Sequence, residues 1–127
     1  MEAGHTDTQG TTALWVPDIG LVVSGDVAYN KTHMCLAETT RKSRTEWIAA
    51  LRTLKSLDPA HVAVGHKRPD RDDDPGNIDE SVQYLTDCND TELASTSALG
   101  LNEAMLTLHP RWAEPAAGQC LGEGWRP

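Results

Sequence analysis

The sequence predicts a layered α/β fold, in which a small sheet is flanked by helices. Two short apolar runs separated by turn residues predict a β-hairpin, and the amphipathic stretch that follows predicts a long helix. Another apolar run directly after that helix predicts a further strand. The chain has 127 residues, 39% of them hydrophobic, which suffices for one domain with a modest core.

The first predicted elements are a loop and the hairpin. Residues 1–12 are mostly small and polar, so a loop is predicted there. Strands are predicted at residues 13–16 and 21–24, because Pro17 fixes φ and Gly20 tolerates positive φ in the turn between them. Residues 27–42 show no clear hydrophobic period and are predicted to be mostly loop.

The helix is predicted from about residue 44 to residue 57. Ser43 and Glu46 stand in capping-box spacing before it, and its apolar positions form one stripe: Trp47, Ile48, Leu51, Leu54 and Leu57. Asp58-Pro59 ends the helix, since proline cannot donate the next backbone hydrogen bond.

The second half of the chain predicts a strand, a loop and two helices. Residues 61–64 form the short apolar strand, and residues 67–76 form a charged loop. Helical spacing of apolar residues begins at Ile78, with acidic residues in the first turn, and recurs over about residues 99–108. Residues 111–127 show no period and are predicted to be an irregular tail.

Charge and hydropathy exclude several functions. The formal net charge is −8 and the sequence pI is about 4.9, which argues against binding to nucleic acid or to an anionic membrane, because both require a concentrated basic surface. No apolar run reaches the roughly 20 residues of a membrane span, and no secretory signal pattern is visible. We therefore expect a cytoplasmic location.

Three side chains that can ligate a metal ion each follow a glycine. They are His5 in Gly-His-Thr-Asp, Asp26 in Ser-Gly-Asp and His66 in Val-Gly-His-Lys. Glycine permits a sharp backbone turn that aims a short ligand into a cleft, and imidazole with carboxylate suits zinc and similar divalent ions. Each one alone has an ordinary alternative, since a Gly-Asp after a strand is often a turn or a helix cap.

In this order, the three motifs resemble the later metal-binding motifs of the metallo-beta-lactamase superfamily. The resemblance covers about residues 4–108 and is clearest in GHTDTQGTTALWVPDIGLVVSGDVAYN and WIAALRTLKSLDPAHVAVGHKRP. It implies the C-terminal half of an αββα sandwich, with a mixed sheet and flanking helices. It also implies that His5 ligates a first metal, that Asp26 bridges two metals and that His66 ligates the second. The metals are usually zinc, and the reaction is hydrolysis of an ester, thioester, lactone, amide or phosphodiester in a small-molecule substrate.

The sequence departs from this family in one large respect. The HxHxDH motif that precedes the GHT motif in the family is absent from these residues. Each zinc ion would then have two protein ligands, whereas catalytic zinc sites normally use three. We therefore expect residues 1–110 to be the C-terminal portion of such a domain, inactive alone and weak or deficient in metal binding. No catalytic residue is assigned.

Further polar residues have two interpretations each. Family members place substrate-contacting residues where His33 lies, but a solvated loop histidine is the alternative. Lys67 and Arg68 either contact an anionic substrate beside His66 or balance the aspartates of residues 70–74. His61 and His109 are predicted to be surface histidines.

Two other functions stay open. A half-sandwich that is not catalytic would expose apolar strand residues and use them for self-association or for a partner; those residues are Leu14, Val16, Leu21 and Val23. An unrelated small acidic binding module is the third interpretation, and it leaves the three ordered motifs to coincidence.

Overall fold

The computed structural model describes residues 1–36, 38–95, 97–110 and 112. Their elements, in chain order, are β1 (Glu2–Gly4), β2 (Thr11–Thr12), β3 (Leu14–Val16), a 3₁₀ turn (Pro17–Ile19), β4 (Leu21–Asn30), α1 (Arg41–Ser56), β5 (His61–Lys67), α2 (Asn77–Glu92) and α3 (Ala98–Leu108). The helices α1 and α2 pack against each other and against β4, and α3 packs against α2. The predicted layered α/β fold is confirmed.

The main sheet is mixed and has the order β3-β4-β5. β3 and β4 form the predicted antiparallel hairpin, in which Leu14 pairs with Val23. Gly20 closes its turn in the left-handed region, at φ +61°. β4 and β5 run parallel, joined by the crossover through α1, with Tyr29 opposite His66 at the far end.

β4 is longer than the sequence predicts. The expected loop over residues 27–42 is wrong for residues 27–30, which continue the strand. Val27, Ala28 and Tyr29 are fully buried, and this end of β4 pairs with β5, more than 30 positions away along the chain. A periodic signal is missing because burial on both faces removes the alternation of polar and apolar residues.

The first twelve residues are also more regular than expected. β1 and β2 pair as a short two-stranded antiparallel sheet within the predicted loop. Backbone hydrogen bonds between Met1 and Ala13, at 2.8 and 2.9 Å, tie its open end together. The prediction of a loop over residues 1–12 is therefore wrong at its two ends.

The long helix α1 begins about one turn before its predicted start. Thr40 caps it: the Thr40 hydroxyl accepts from the Ser43 amide at 3.1 Å, and the Ser43 hydroxyl accepts from the Thr40 amide at 2.8 Å. The capping box is thus formed by Thr40 and Ser43, and the predicted pair of Ser43 and Glu46 is wrong. The predicted apolar stripe is confirmed, because Trp47, Leu51 and Leu54 are buried.

One face of the main sheet is covered and the other is open. The covered face forms the core with α1 and α2 through Val22, Val62 and the apolar helix residues. On the other face, Leu14 is 59% exposed and its cross-strand partner Val23 is 38% exposed. None of the helices in the described residues is long and apolar enough to cross a membrane.

Candidate functional site

The structure brings Asp26 and His66 together from the adjacent parallel strands β4 and β5. His66 Nε2 lies 3.3 Å from Asp26 Oδ1, and both side chains are about half exposed. Gly25 precedes Asp26 with φ +52°, where the pairing between β4 and β5 is irregular. The carboxylate of Asp26 occupies the space that a Cβ atom on Gly65 would fill, so glycine at this position permits the approach.

Tyr29 supports the His66 imidazole from the interior. The two residues are register partners across β4 and β5, and their rings stack at 5.1 Å with an interplanar angle of 18°. Tyr29 is fully buried and also contacts Trp47, with ring centroids 6.4 Å apart. The imidazole of His66 therefore contacts a buried aromatic ring on one face and is accessible to solvent elsewhere.

A second carboxylate, Asp7, lies next to Asp26. Burial raises the pKa of Asp7, and the charge and hydrogen bonding of Asp26 raise it further, against the hydrogen bonds donated by Thr6 and by the Thr8 amide. Burial, Asp7 and Asp26 together also raise the pKa of Tyr29. Hydrogen bonding between the Tyr29 hydroxyl and Asp7 contributes to this rise, and a hydrogen bond to the Cys35 backbone opposes it. We call Asp7, Asp26, Tyr29 and His66 the Asp26 cluster.

His5 does not complete this cluster. Its Nε2 atom lies 3.1 Å from the backbone oxygen of Glu38. Together with Gln9 and Glu38 it lines a shallow cavity of about 430 Å³. Within the part of the chain that the structure describes, no three His, Cys, Asp or Glu side chains are arranged to hold a metal ion.

The Asp26 cluster therefore fits part of a metal site. Carboxylate oxygen and imidazole nitrogen are suitable donors for zinc, and two adjacent carboxylates form an excess of negative charge that a divalent cation would neutralise. Asp26 and His66 supply two donors, one fewer than the three protein ligands usual in catalytic zinc sites. Among the described residues, a complete coordination shell is not present.

The two predicted substrate-contacting residues lie in different surroundings. His33 is buried, with Nδ1 2.8 Å from the Tyr84 hydroxyl, so the alternative of a solvated loop histidine is wrong. Its imidazole packs against Tyr84 of α2, 51 positions away along the chain, and local sequence does not reveal this contact. Lys67 is partly exposed and pairs with Asp73 at 3.3 Å, and Arg68 pairs with Asp70. Substrate contact by His33 or Lys67 stays a prediction.

The two remaining histidines differ from each other. His61 is exposed at the start of β5, as predicted. His109 is largely buried beside the stacked rings of Tyr84 and Trp112, with Nε2 2.9 Å from Asp87 Oδ2, so the predicted surface position is wrong. Burial lowers the pKa of His109, and the neighbouring Asp87 opposes that effect.

Asp7 and Tyr29 belong to the site although the sequence motifs do not predict either of them. Asp7 belongs to the same Gly-His-Thr-Asp motif as His5, and its place in that motif is the sequence feature that could have identified it. Tyr29 carries no such signal, because its role depends on the register between β4 and β5.

No family model and no curated protein matches the chain. The resemblance to the metallo-beta-lactamase superfamily thus depends on its motifs alone.

Proposed function

We propose that this chain carries the C-terminal part of the site of a metal-dependent hydrolase of the metallo-beta-lactamase type. In this proposal Asp26 and His66 are metal ligands. The observation that carries it is the contact between His66 Nε2 and Asp26 Oδ1, which lie 3.3 Å apart on two solvent-accessible side chains of the adjacent strands β4 and β5. These residues are distant in sequence and belong to two of the three motifs on which the family resemblance depends.

The electrostatics of the Asp26 cluster support a cation at this position. Two carboxylates placed side by side repel each other, and the raised pKa of Asp7 reflects that repulsion as well as burial. A divalent cation would remove the repulsion and bring the pKa of Asp7 back down. A bound zinc ion would supply a water of lowered pKa and polarise the bond to be cleaved.

The chain's own residues supply part of this chemistry. Tyr29 stacks on His66 and limits rotation of the imidazole, so the ring stays directed toward Asp26. Gly65 leaves room for the Asp26 carboxylate. His5 would have to leave the Glu38 carbonyl to become a ligand. These 127 residues contain no HxHxDH motif to supply further donors, so metal binding by this chain alone is expected to be weak.

Metal titration of the whole chain tests the proposal. We expect zinc or cobalt(II) to bind weakly and to shift the NMR signals of Asp7, Asp26 and His66 first. His66→Ala is expected to weaken binding by at least about 10–100-fold, the range seen when even an outer-shell partner of a ligand is removed. His61→Ala is the matched control, because His61 is an exposed histidine at the other end of β5. Metal binding of equal affinity in wild type and His66→Ala, or perturbation centred on His61, would contradict the proposal.

A second function is favoured by the open face of the main sheet. On this face Leu14 and Val23 are direct cross-strand neighbours, 59% and 38% exposed, and Ile19 in the turn that joins their strands is 61% exposed. An apolar row of this kind is typical of a surface that another protein surface covers. The alternative proposal is a non-catalytic protein that self-associates through this face.

Sedimentation of the chain over a range of concentrations tests this alternative. Leu14→Thr keeps a residue suited to strands while it removes apolar surface, and it is expected to weaken self-association at least about tenfold, given roughly 1.5–3 kcal/mol for burying a leucine. Leu93→Thr is the control, since Leu93 is 77% exposed and caps the C-terminal end of α2, outside the main sheet. A chain that stays monomeric at every concentration would contradict self-association.

A further inference from the structure

A cavity of about 370 Å³ lies where the end of β4, the loop after β5 and the end of α3 meet. Three cationic side chains line one part of it, Lys31, Arg68 and Arg71. The other part is formed mainly by Leu108, Pro110 and Trp112. No described residue that lines it carries a carboxylate, although the protein as a whole has a net charge of −8. We call it the cationic cavity.

The three cations differ in how their charge is balanced. Lys31 pairs with Glu80 at 3.0 Å, and Arg68 donates from Nη2 to Asp70 Oδ2 at 2.9 Å. Arg71 forms no ion pair with any residue that the structure describes. Its Nε atom is buried and has no hydrogen-bond partner among them. A buried donor without a partner is unfavourable, so the guanidinium of Arg71 keeps a hydrogen-bonding capacity that the described residues do not satisfy.

The wall opposite the arginines is held in place by aromatic packing. Trp112 stacks on Tyr84, with centroids 4.8 Å apart and an interplanar angle of 15°. Lys31 Nζ lies 5.6 Å from the centroid of the Trp112 ring. These contacts hold the Trp112 ring in place, and Leu108 and Pro110 complete the apolar surface that a ligand would meet. The cavity volume is within the range usual for small-molecule sites.

We propose that the cationic cavity binds a small organic anion. Its carboxylate or phosphate group accepts hydrogen bonds from the guanidinium of Arg71, which suits both groups because its donors form a planar fork. Its apolar part contacts Leu108 and Pro110. Arg71 is not a member of the Asp26 cluster, so this binding does not depend on a metal ion or on the hydrolase proposal.

Calorimetric titration of the whole chain tests the proposal with three probes of similar size. Phenyl phosphate and benzoate carry the two anionic groups, and benzyl alcohol is the uncharged control. At low ionic strength we expect at least one anion to bind with a dissociation constant on the order of 1 mM, and benzyl alcohol not to bind measurably. The comparison of the two anions identifies the preferred group. Equal binding of benzyl alcohol, or no binding of either anion, overturns the proposal without any variant.

Substitution of Arg71 then locates the site. Arg71→Gln is expected to weaken binding of the preferred anion about tenfold, as is usual when a hydrogen bond to a charged group is lost. Arg71→Lys keeps the positive charge but not the planar fork of donors. Its affinity for the anion is expected to lie between those of wild type and Arg71→Gln. Arg52→Gln is the matched control, because Arg52 is an exposed arginine on α1. Unchanged affinity in a folded Arg71→Gln protein overturns the assignment, as does an equal loss in Arg52→Gln.

Discussion

Arg44→Ala is expected to lower the free energy of unfolding by about 3–5 kcal/mol, the range found when one partner of a buried ion pair is removed. Arg44 is fully buried and forms an ion pair with Glu92, so it joins α1 to α2. Its Nε atom also donates to Asn89 Oδ1 at 2.7 Å, and its Nη1 atom donates to the Thr39 hydroxyl at 3.0 Å. Alanine would leave the carboxylate of Glu92 and the acceptors on Asn89 and Thr39 without a donor.

Urea denaturation followed by circular dichroism measures this effect. Domains of this size typically have a free energy of unfolding of only about 5–15 kcal/mol. The urea concentration at the midpoint of unfolding should therefore fall by a large fraction. Arg52→Ala is the control, since Arg52 is exposed on the same helix and its loss is expected to cost about 0.5 kcal/mol or less. A midpoint for Arg44→Ala that equals the control would show that the ion pair contributes nothing.

A double variant that replaces both members of the ion pair tests whether the cost of Arg44→Ala comes from an unpaired buried charge. Replacing Arg44 by Met and Glu92 by Leu removes both charges, so neither remains buried without a partner. Because exchange of a buried ion pair for apolar side chains is often neutral or stabilising, the double variant should recover stability relative to Arg44→Ala. The same urea experiment measures this recovery.

Trp47→Ala is expected to cost about 3–5 kcal/mol of stability, as is usual for removal of a buried large aromatic side chain. Trp47 is fully buried in α1, and its indole Nε1 donates to the Val27 carbonyl at 2.7 Å. Val27 directly follows Asp26 in β4, so this hydrogen bond holds the backbone beside the Asp26 cluster. The tryptophan thus links the core to the candidate metal site.

Trp47→Phe separates the two roles of this side chain. Phenylalanine keeps much of the packing but leaves the Val27 carbonyl without its donor, at a cost of about 1–3 kcal/mol. We also expect weaker metal binding in this variant, because the backbone beside Asp26 loses an anchor. Trp15→Phe is the control, since Trp15 lies half-buried in β3. If Trp47→Phe and Trp15→Phe have equal stability and equal metal affinity, the hydrogen bond to Val27 has no role at the site.

Local sequence was sufficient to predict several elements of the fold. The hairpin of β3 and β4 follows from turn chemistry at Pro17 and Gly20, and α1 follows from an apolar stripe that needs no knowledge of its partner. α1 begins about one turn before its predicted start, because Thr40 and Ser43 form the capping box in place of the predicted pair of Ser43 and Glu46. The extension of β4 to Asn30 was missed because its pairing partner is on β5.

The candidate site was predicted in part. Asp26 and His66 were singled out by their motifs, and the structure places them in contact. His5 was singled out in the same way but lies at the Glu38 carbonyl. Motif spacing cannot distinguish these outcomes, because it records the order of ligands along the chain and not the distances between them.

By itself, the sequence determined the layered fold, the hairpin and the positions of the helices, since turn chemistry and hydrophobic period act over a few neighbouring residues. Only the tertiary structure decided which polar groups meet. The parallel register of β4 and β5 brings Tyr29 under His66, and the hairpin of β1 and β2 brings Asp7 beside Asp26. These contacts join residues far apart in the chain, and their energies depend on burial and distance, which exist only once the layers have packed.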